Sequence, residues 1–197
     1  MSFFLTSAGT APIGGNLGGL AGADAHCQKL AEAAGAGGKT WHAYLSASAQ
    51  GGTAAANARD RIGKGPWRNA KGVQVAANVD ELHGEHNNLT VETVLDEKGN
   101  AVPGRAAAAA GKEQGVKNEH DILTGSTLDG KALPADPDRT CHNWTATDGN
   151  AQVGHFDRQG GGQNPNSWNS AHNTPGCDEA ALRKVGGAGR FYCFAIE

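Results

Sequence analysis

The stretch GGLAGADAHCQKLAEAAG, residues 18–35, has the pattern of a short amphipathic helix. Four apolar residues recur at i, i+3, i+4 and i+7, the spacing of one helix face: Cys27, Leu30, Ala31 and Ala34. Asp24 stands where the first turn of a helix favours a negative charge, and Gly35 can end the helix in a left-handed conformation. The pattern therefore predicts a helix near the N-terminus with one cysteine on its buried face.

Three more cysteines follow, at Cys141, Cys177 and Cys193. They include no C-x-x-C pair, which argues against a structural zinc site of that kind and against a thioredoxin-like motif. Four cysteines allow three pairings, and their spacing does not choose among them. Two disulfides in an exported protein fit the loop-rich composition, and four free thiols in a cytosolic protein are the alternative.

Composition limits the class of protein. The chain has 197 residues, 30 of them glycine, and a net charge of −3, with a mean hydropathy of −0.48. We therefore expect one loop-rich domain over residues 1–197. The charge balance gives no support to a nucleic-acid partner, and no apolar run has the length of a membrane span. The opening MSFFLTS lacks the features of a signal peptide and predicts a first strand.

Strand patterns lie on both sides of a region of different character. Residues 40–46 alternate, with Trp41, Ala43 and Leu45 on one face. Residues 189–196 are apolar on both faces, as in a strand buried on both sides. Between them, residues 90–95 predict a strand, but the stretch from about 84 to 117 has too few large apolar residues for its own core. We interpret that stretch as a surface insertion.

Several motifs together resemble one family. GADAHCQKLAEAAG, WHAYLS, ARDRI and GPWRN occur in the first half, LTGS, CHNW and the closing YCFAIE in the second. In this order they resemble endostatin, the C-terminal domain of certain collagens, and bacterial endostatin-like or lectin-like proteins. The resemblance covers both ends of the chain and is absent chiefly between about 83 and 118 and in the loop at 160–167.

The resemblance implies an α+β fold of the C-type lectin-like (endostatin-like) kind: a twisted antiparallel sheet, two short helices and long loops. It also implies two nested disulfides, Cys27 with Cys193 and Cys141 with Cys177. The first would close nearly the whole chain into a loop, which constrains the unfolded state by about 4 to 5 kcal/mol.

Eight histidines suggest a metal site. Three groups are candidates: His120 beside Glu119 and Asp121, His155 with Asp157 and His172, and His142 with Asn143. We take Asp121, His155 and Asp157 as the metal ligands. Oxygen ligands would suit calcium, and histidine with aspartate would suit zinc. None of these groups has the spacing of H-E-x-x-H or of an EF-hand.

The loop before Cys177 is the candidate ligand-binding segment. Asn164-Pro165-Asn166 and Trp168-Asn169-Ser170 resemble the triplets of the calcium-dependent sugar site of C-type lectins, although Ser170 stands where an aspartate should ligate calcium. A sugar could stack on Trp168 and bind the amides of Asn166 and Asn169, with His172 beside them. An Asn-rich turn with a half-buried tryptophan is the alternative interpretation.

The sequence contains no recognisable catalytic constellation, since it has no G-x-S-x-G and no strand-G-x-G-x-x-G-helix unit. We therefore expect a non-catalytic extracellular binding module that recognises a glycan or a surface protein. The alternatives are a metal-dependent hydrolase using His155, Asp157 and His172, and a structural adhesion or assembly domain. The expected location is secreted, periplasmic or at the cell surface, and the sequence indicates no particular oligomeric state.

Overall fold

The last strand of the chain, β9 (Tyr192–Ala195), is the centre of an antiparallel sheet in the computed structural model, which describes residues 1–196. It lies between β1 (Phe3–Leu5) and β2 (Trp41–Ala43). Cys193 pairs with Phe4 on one side and with Ala43 on the other. The two ends of the chain therefore share one sheet.

Side chains of this sheet alternate between two buried clusters. Cys193 and Ala195 belong to one cluster, and Tyr192 and Phe194 belong to the other. All four are at most 6% exposed. The predicted burial on both faces is confirmed, but the predicted strand over residues 189–196 is divided: residues 189 and 190 end β8 (Gly187–Arg190) in another sheet, and β9 covers only Tyr192–Ala195.

Helix α1 (Gly19–Ala33) covers the first cluster with a face made by Ala23, Cys27 and Ala31. It ends before Gly35, which has a φ of 76°. The helix begins earlier than the sequence predicted, so Asp24 does not lie in its first turn. The Asp24 carboxylate instead accepts hydrogen bonds from the backbone N–H of Ala43 and from the guanidinium of Arg61. Asp24 thus links the helix to β2.

Two disulfides join Cys27 to Cys193 and Cys141 to Cys177, so the pairing implied by the resemblance is confirmed. The first spans 166 residues of sequence and links α1 to β9. The second spans 36 residues. It joins Cys141 to the segment that precedes α6 (Glu179–Val185).

Two further sheets complete the mixed α+β architecture. A small one pairs β3 (Trp67–Arg68) with β4 (Gln74–Ala76). The other has the order β7-β6-β5-β8, in which only β5 and β8 run parallel. Its strands, in chain order, are β5 (Asp121–Leu123), β6 (Gln152–His155), β7 (His172–Asn173) and β8 (Gly187–Arg190). The remaining α-helical segments are α2 (Ala58–Arg61), α3 (Val79–His83), α4 (Arg105–Ala110) and α5 (Cys141–Trp144), and two 3-10 helices cover Ala11–Ile13 and Lys112–Gln114.

Segment α5 is a left-handed turn rather than an ordinary helix. Its four residues all have positive φ, between 50° and 67°. This conformation costs about 1–2 kcal/mol per non-glycine residue. The contacts that hold it, in addition to the disulfide, include three hydrogen bonds of side chains: Thr140 Oγ1 accepts from the N–H of Asn143, Asn143 Oδ1 accepts from the N–H of Ser48, and Trp144 Nε1 donates to the carbonyl of Ser46.

The stretch from 84 to 117 is part surface and part core. Helix α4 has no buried residue, whereas Leu89, Val94 and Val102 lie in the second buried cluster. The strand predicted over residues 90–95 does not form there, since its backbone folds into turns. Within residues 1–196, no helix is long and apolar enough to cross a membrane.

Candidate metal centre

Strand register brings three polar side chains to one face of the four-stranded sheet. Asp121, the first residue of β5, pairs directly with His155, the last residue of β6. His172, the first residue of β7, pairs with Val153, two residues before His155. Because side chains two apart on a strand share a face, Asp121, His155 and His172 face the same side. His120 adjoins them from just outside β5.

The side chains of the three histidines converge on the carboxylate of Asp121. Its Oδ1 lies 3.1 Å from His120 Nε2 and 3.2 Å from His155 Nε2. Its Oδ2 lies 3.4 Å from His172 Nε2. His120, Asp121 and His155 can each place one ligand atom within 4.8 Å of the others. Three imidazole nitrogens and a carboxylate therefore point into one small space.

The other ring nitrogen of each imidazole contacts a hydrogen-bond acceptor. Nδ1 lies 2.8 Å from the carbonyl of Pro165 in His155 and 2.9 Å from the carbonyl of Asn173 in His172. Since a carbonyl only accepts, both Nδ1 atoms carry the proton. In His120 the contact is 3.0 Å to Asp157 Oδ1.

Asp157 is an acceptor as well. Burial acts to raise its pKa, but hydrogen bonds from His120 and the backbone N–H of Arg105 hold the pKa below its usual value. Nδ1 of His120 therefore also donates. When neutral, all three imidazoles present an unprotonated Nε2 to Asp121, the tautomer in which histidine binds a metal through that atom.

Asp121 is therefore a buried carboxylate facing lone pairs. It is 1% exposed, and neither of its oxygens has a hydrogen-bond partner in the described part of the chain. Burial acts to raise the pKa of Asp121, but hydrogen bonds that protonated His155 and His172 would donate, and the positive charge that His120 would carry, hold the pKa below its usual range. A buried carboxylate of this kind requires a positive charge beside it.

Protonation of the histidines alone does not supply this positive charge well. The contact with Asp121 raises the pKa of His172, so a proton there can serve Oδ2. Oδ1, however, lies between His120 and His155, whose rings are stacked with centroids 4.4 Å apart. Protonating both would place two cations in contact. A single metal ion would satisfy the carboxylate and the imidazoles together.

The centre is enclosed. His120, Asp121 and His155 are at most 2% exposed, and the side chain of His172 is 20% exposed. The loop after β6 lies directly on the rings, because a Cβ at Gly160 would be 2.4 Å from Cε1 of His155. A bound ion would have little contact with solvent.

Of the three predicted metal ligands, two face the centre and one lies behind it. Asp121 and His155 belong to the inner set, and Asp157 lies behind His120 as its hydrogen-bond partner. Glu119, considered beside His120, instead pairs with the guanidinium of Arg190. His142 lies elsewhere, 3.7 Å from Asp148. The strand pairing that joins residues 121 and 155 had no signal in the sequence.

The predicted ligand-binding residues are divided between the surface and the core. Asn166 is exposed. Trp168 is 3% exposed and packs against Tyr44 and Tyr192, so its ring faces are not open to a stacked sugar. Asn169 is also buried, and its amide donates to Tyr44 Oη and to two backbone carbonyls.

Comparisons with models of known protein families and with curated proteins found no match for this chain.

Proposed function

We propose that this protein is a non-catalytic, metal-stabilised binding module that works outside the cytoplasm. The observation that carries the metal assignment is the convergence of three imidazole Nε2 atoms on the buried carboxylate of Asp121. The two disulfides support an oxidising compartment, such as the periplasm, the cell surface or the medium.

Zinc fits this donor set better than calcium. Calcium takes six to eight oxygen ligands, whereas zinc prefers four ligands and accepts histidine nitrogen and carboxylate oxygen. Two ligands of a tetrahedral zinc ion, bound at about 2.0–2.1 Å, lie about 3.3 Å apart. The separations of 3.1 and 3.2 Å between Asp121 Oδ1 and the Nε2 atoms of His120 and His155 match that spacing.

The enclosure favours a structural role over catalysis. Catalytic zinc keeps one position open for water or substrate, whereas structural zinc takes all its ligands from the protein. Here His120, Asp121 and His155 offer three ligand atoms within 4.8 Å of one another, and His172 contacts the second oxygen of Asp121, in a site with little exposure. A hydrolase built on His155, Asp157 and His172 would need Asp157 to bind the metal, but that carboxylate is occupied by His120 and Arg105.

For the fold family, we propose the endostatin-like, C-type lectin-like assignment. Its support is the sequence resemblance together with the two disulfides, which join the cysteines that the resemblance pairs. As ligand we propose a glycan or a surface protein, bound by the loops between Asp121 and His172. Analogy of fold supports only the general class, a binding module, and does not identify the ligand.

Metal analysis tests the proposal. Protein purified without chelators should contain about one zinc per chain, and the metal-free protein should bind Zn²⁺ but not Ca²⁺. Asp121→Asn should weaken zinc binding by more than the roughly 10- to 100-fold typical of losing an outer-shell partner. Glu113→Gln is the matched control, since Glu113 is exposed. Absence of zinc binding by the folded protein would overturn the proposal.

A further inference from the structure

A cleft of about 440 Å³, with both apolar and polar lining groups, adjoins the metal centre. The loop between β6 and β7 forms one wall with residues 163–169, and the opposite side includes Glu85, Asn87 and Leu128. Leu128 is 52% exposed. Within residues 1–196, the side chains of Glu85, Gln163 and Asn166 make no hydrogen bond to protein and are exposed.

The loop that forms this wall begins and ends at candidate metal ligands. His155 is the last residue of β6 and His172 is the first residue of β7, so residues 156–171 connect them. The loop also contacts the rings directly. The carbonyl of Pro165, a residue of the cleft, accepts the Nδ1 proton of His155, and a Cβ at Gly162 would meet His172 at 2.7 Å.

Arg158 links the same loop to the opposite side of the cleft by hydrogen bonds. Its guanidinium donates to the carbonyl of Leu89, to the carbonyl of Asn166 and to Oδ1 of Asn87. Arg158, the one arginine or lysine among the described residues that line the cleft, therefore has its donors occupied by protein acceptors. The unused groups are two neutral amides and one carboxylate beside an exposed apolar side chain, a lining that suits an uncharged, hydroxyl-rich ligand better than an anion.

We propose that the metal ion clamps the base of the 156–171 loop and thereby forms the cleft, which takes an uncharged, hydroxyl-rich ligand that does not touch the metal. Binding then depends on the metal indirectly, through the position of the loop, because His155 would hold the ion through Nε2 while its Nδ1 donates to the carbonyl of Pro165 in the loop. This inference rests on the proposed metal centre and adds the site of recognition and its dependence on the ion.

Trypsin tests the clamp, since Arg158 is the only lysine or arginine between residues 156 and 171. In the metal-free protein, cleavage after Arg158 should be at least about 10-fold faster than in the zinc-loaded protein, because cleavage requires local opening. Cleavage after the exposed Lys112 should not change and serves as the internal control. If zinc binds one to one but leaves the rate at Arg158 unchanged, the clamp is refuted while the metal centre stands. If zinc does not bind, the proposed metal centre is overturned, and the clamp is overturned with it.

An array of neutral and sulfated oligosaccharides tests the cleft. Zinc-loaded protein should bind neutral members, lose at least about 10-fold in binding when the metal is removed, and recover when zinc is returned. Asn166→Ala should reduce the same binding without changing zinc affinity, and Gln114→Ala, an exposed amide on another segment, should change neither. Neutral binding that does not depend on zinc would overturn the coupling. Binding only to sulfated members, or to none, would overturn the ligand class.

Discussion

Asp121 and His155 are direct partners across two antiparallel strands, and the Oδ1 and Nε2 atoms at the ends of their side chains are 3.2 Å apart. Both atoms are acceptors when the imidazole donates through Nδ1 to the carbonyl of Pro165. Two buried acceptors in contact are unfavourable unless a cation lies between them. This pair is therefore the strongest single argument for a bound metal ion.

The carboxylate of Asp157 should act on the metal through His120. It accepts from His120 Nδ1 and from the backbone N–H of Arg105. Asp157→Asn keeps the shape but removes the charge that fixes and polarises the imidazole. We expect zinc affinity to fall by about 10- to 100-fold, measured by competition with a chelator of known affinity.

The control for this variant is Asp148→Asn, whose carboxylate is exposed and lies near His142. It should bind zinc as the wild type does. An Asp157→Asn protein that is folded and has unchanged zinc affinity would contradict the outer-shell role of Asp157.

Zinc should raise thermal stability, because it binds the folded site and has no such site in the unfolded chain. At a free zinc concentration 100 times the dissociation constant, the added stability is about 2.7 kcal/mol. For a chain of this length, 1 kcal/mol moves the melting temperature by about 2–4 °C, so we expect a rise of about 5–11 °C. Calorimetry with and without zinc measures it, and Asp121→Asn should show a much smaller rise.

Much of the fold follows from sequence patterns, whereas the metal site does not. The alternation of residues 41, 43 and 45 predicts β2, because burial on one face leaves a periodic pattern. The apolar run at 189–196 predicts β9, because burial on both faces leaves a continuous apolar run, but it does not show that residues 189 and 190 end β8 in a different sheet. Asp121 and His155 are far apart in sequence and meet only through strand register, which single-sequence patterns do not encode. The H-x-D spacing predicts Asp157 as a metal ligand beside His155. Its carboxylate instead contacts His120, because the direction of a side chain in a turn cannot be inferred from its closeness in sequence to His155.

The left-handed turn at residues 141–144 offers a stabilising substitution. His142 has a φ of 53°, and its side chain is 45% exposed. Glycine adopts this conformation without the steric cost that a Cβ imposes, although it adds entropy to the unfolded chain. We expect His142→Gly to raise the free energy of unfolding by about 0.5–1 kcal/mol, measured by urea denaturation.

His86→Gly is the control for the turn. His86 is also exposed, and it is not among the residues with positive φ. Glycine there should leave stability unchanged or lower it by up to about 1 kcal/mol. If both variants change stability alike, the gain at His142 does not come from relief of the left-handed backbone.

His83 should make stability depend on pH outside the metal centre. Its Nδ1 donates to the carbonyl of Val79, and its Nε2 accepts from the hydroxyl of the buried Tyr44. Burial lowers the pKa of His83. The nearby charged groups are Arg59, which also lowers this pKa, and Asp80 and Asp129, which act to raise it.

The direction of the effect follows from this lowered pKa. Above the ordinary histidine pKa of about 6.5, His83 is neutral in both the folded and the unfolded chain, so it adds no pH dependence. As pH falls below about 6.5, the unfolded chain takes up the proton first, and stability is lost until the folded-state pKa is reached. Urea denaturation at pH 7, 6 and 5 should therefore show a steeper loss for the wild type than for His83→Gln. Other titrating groups are common to both proteins and cancel in the difference, so equal slopes would show that His83 does not contribute.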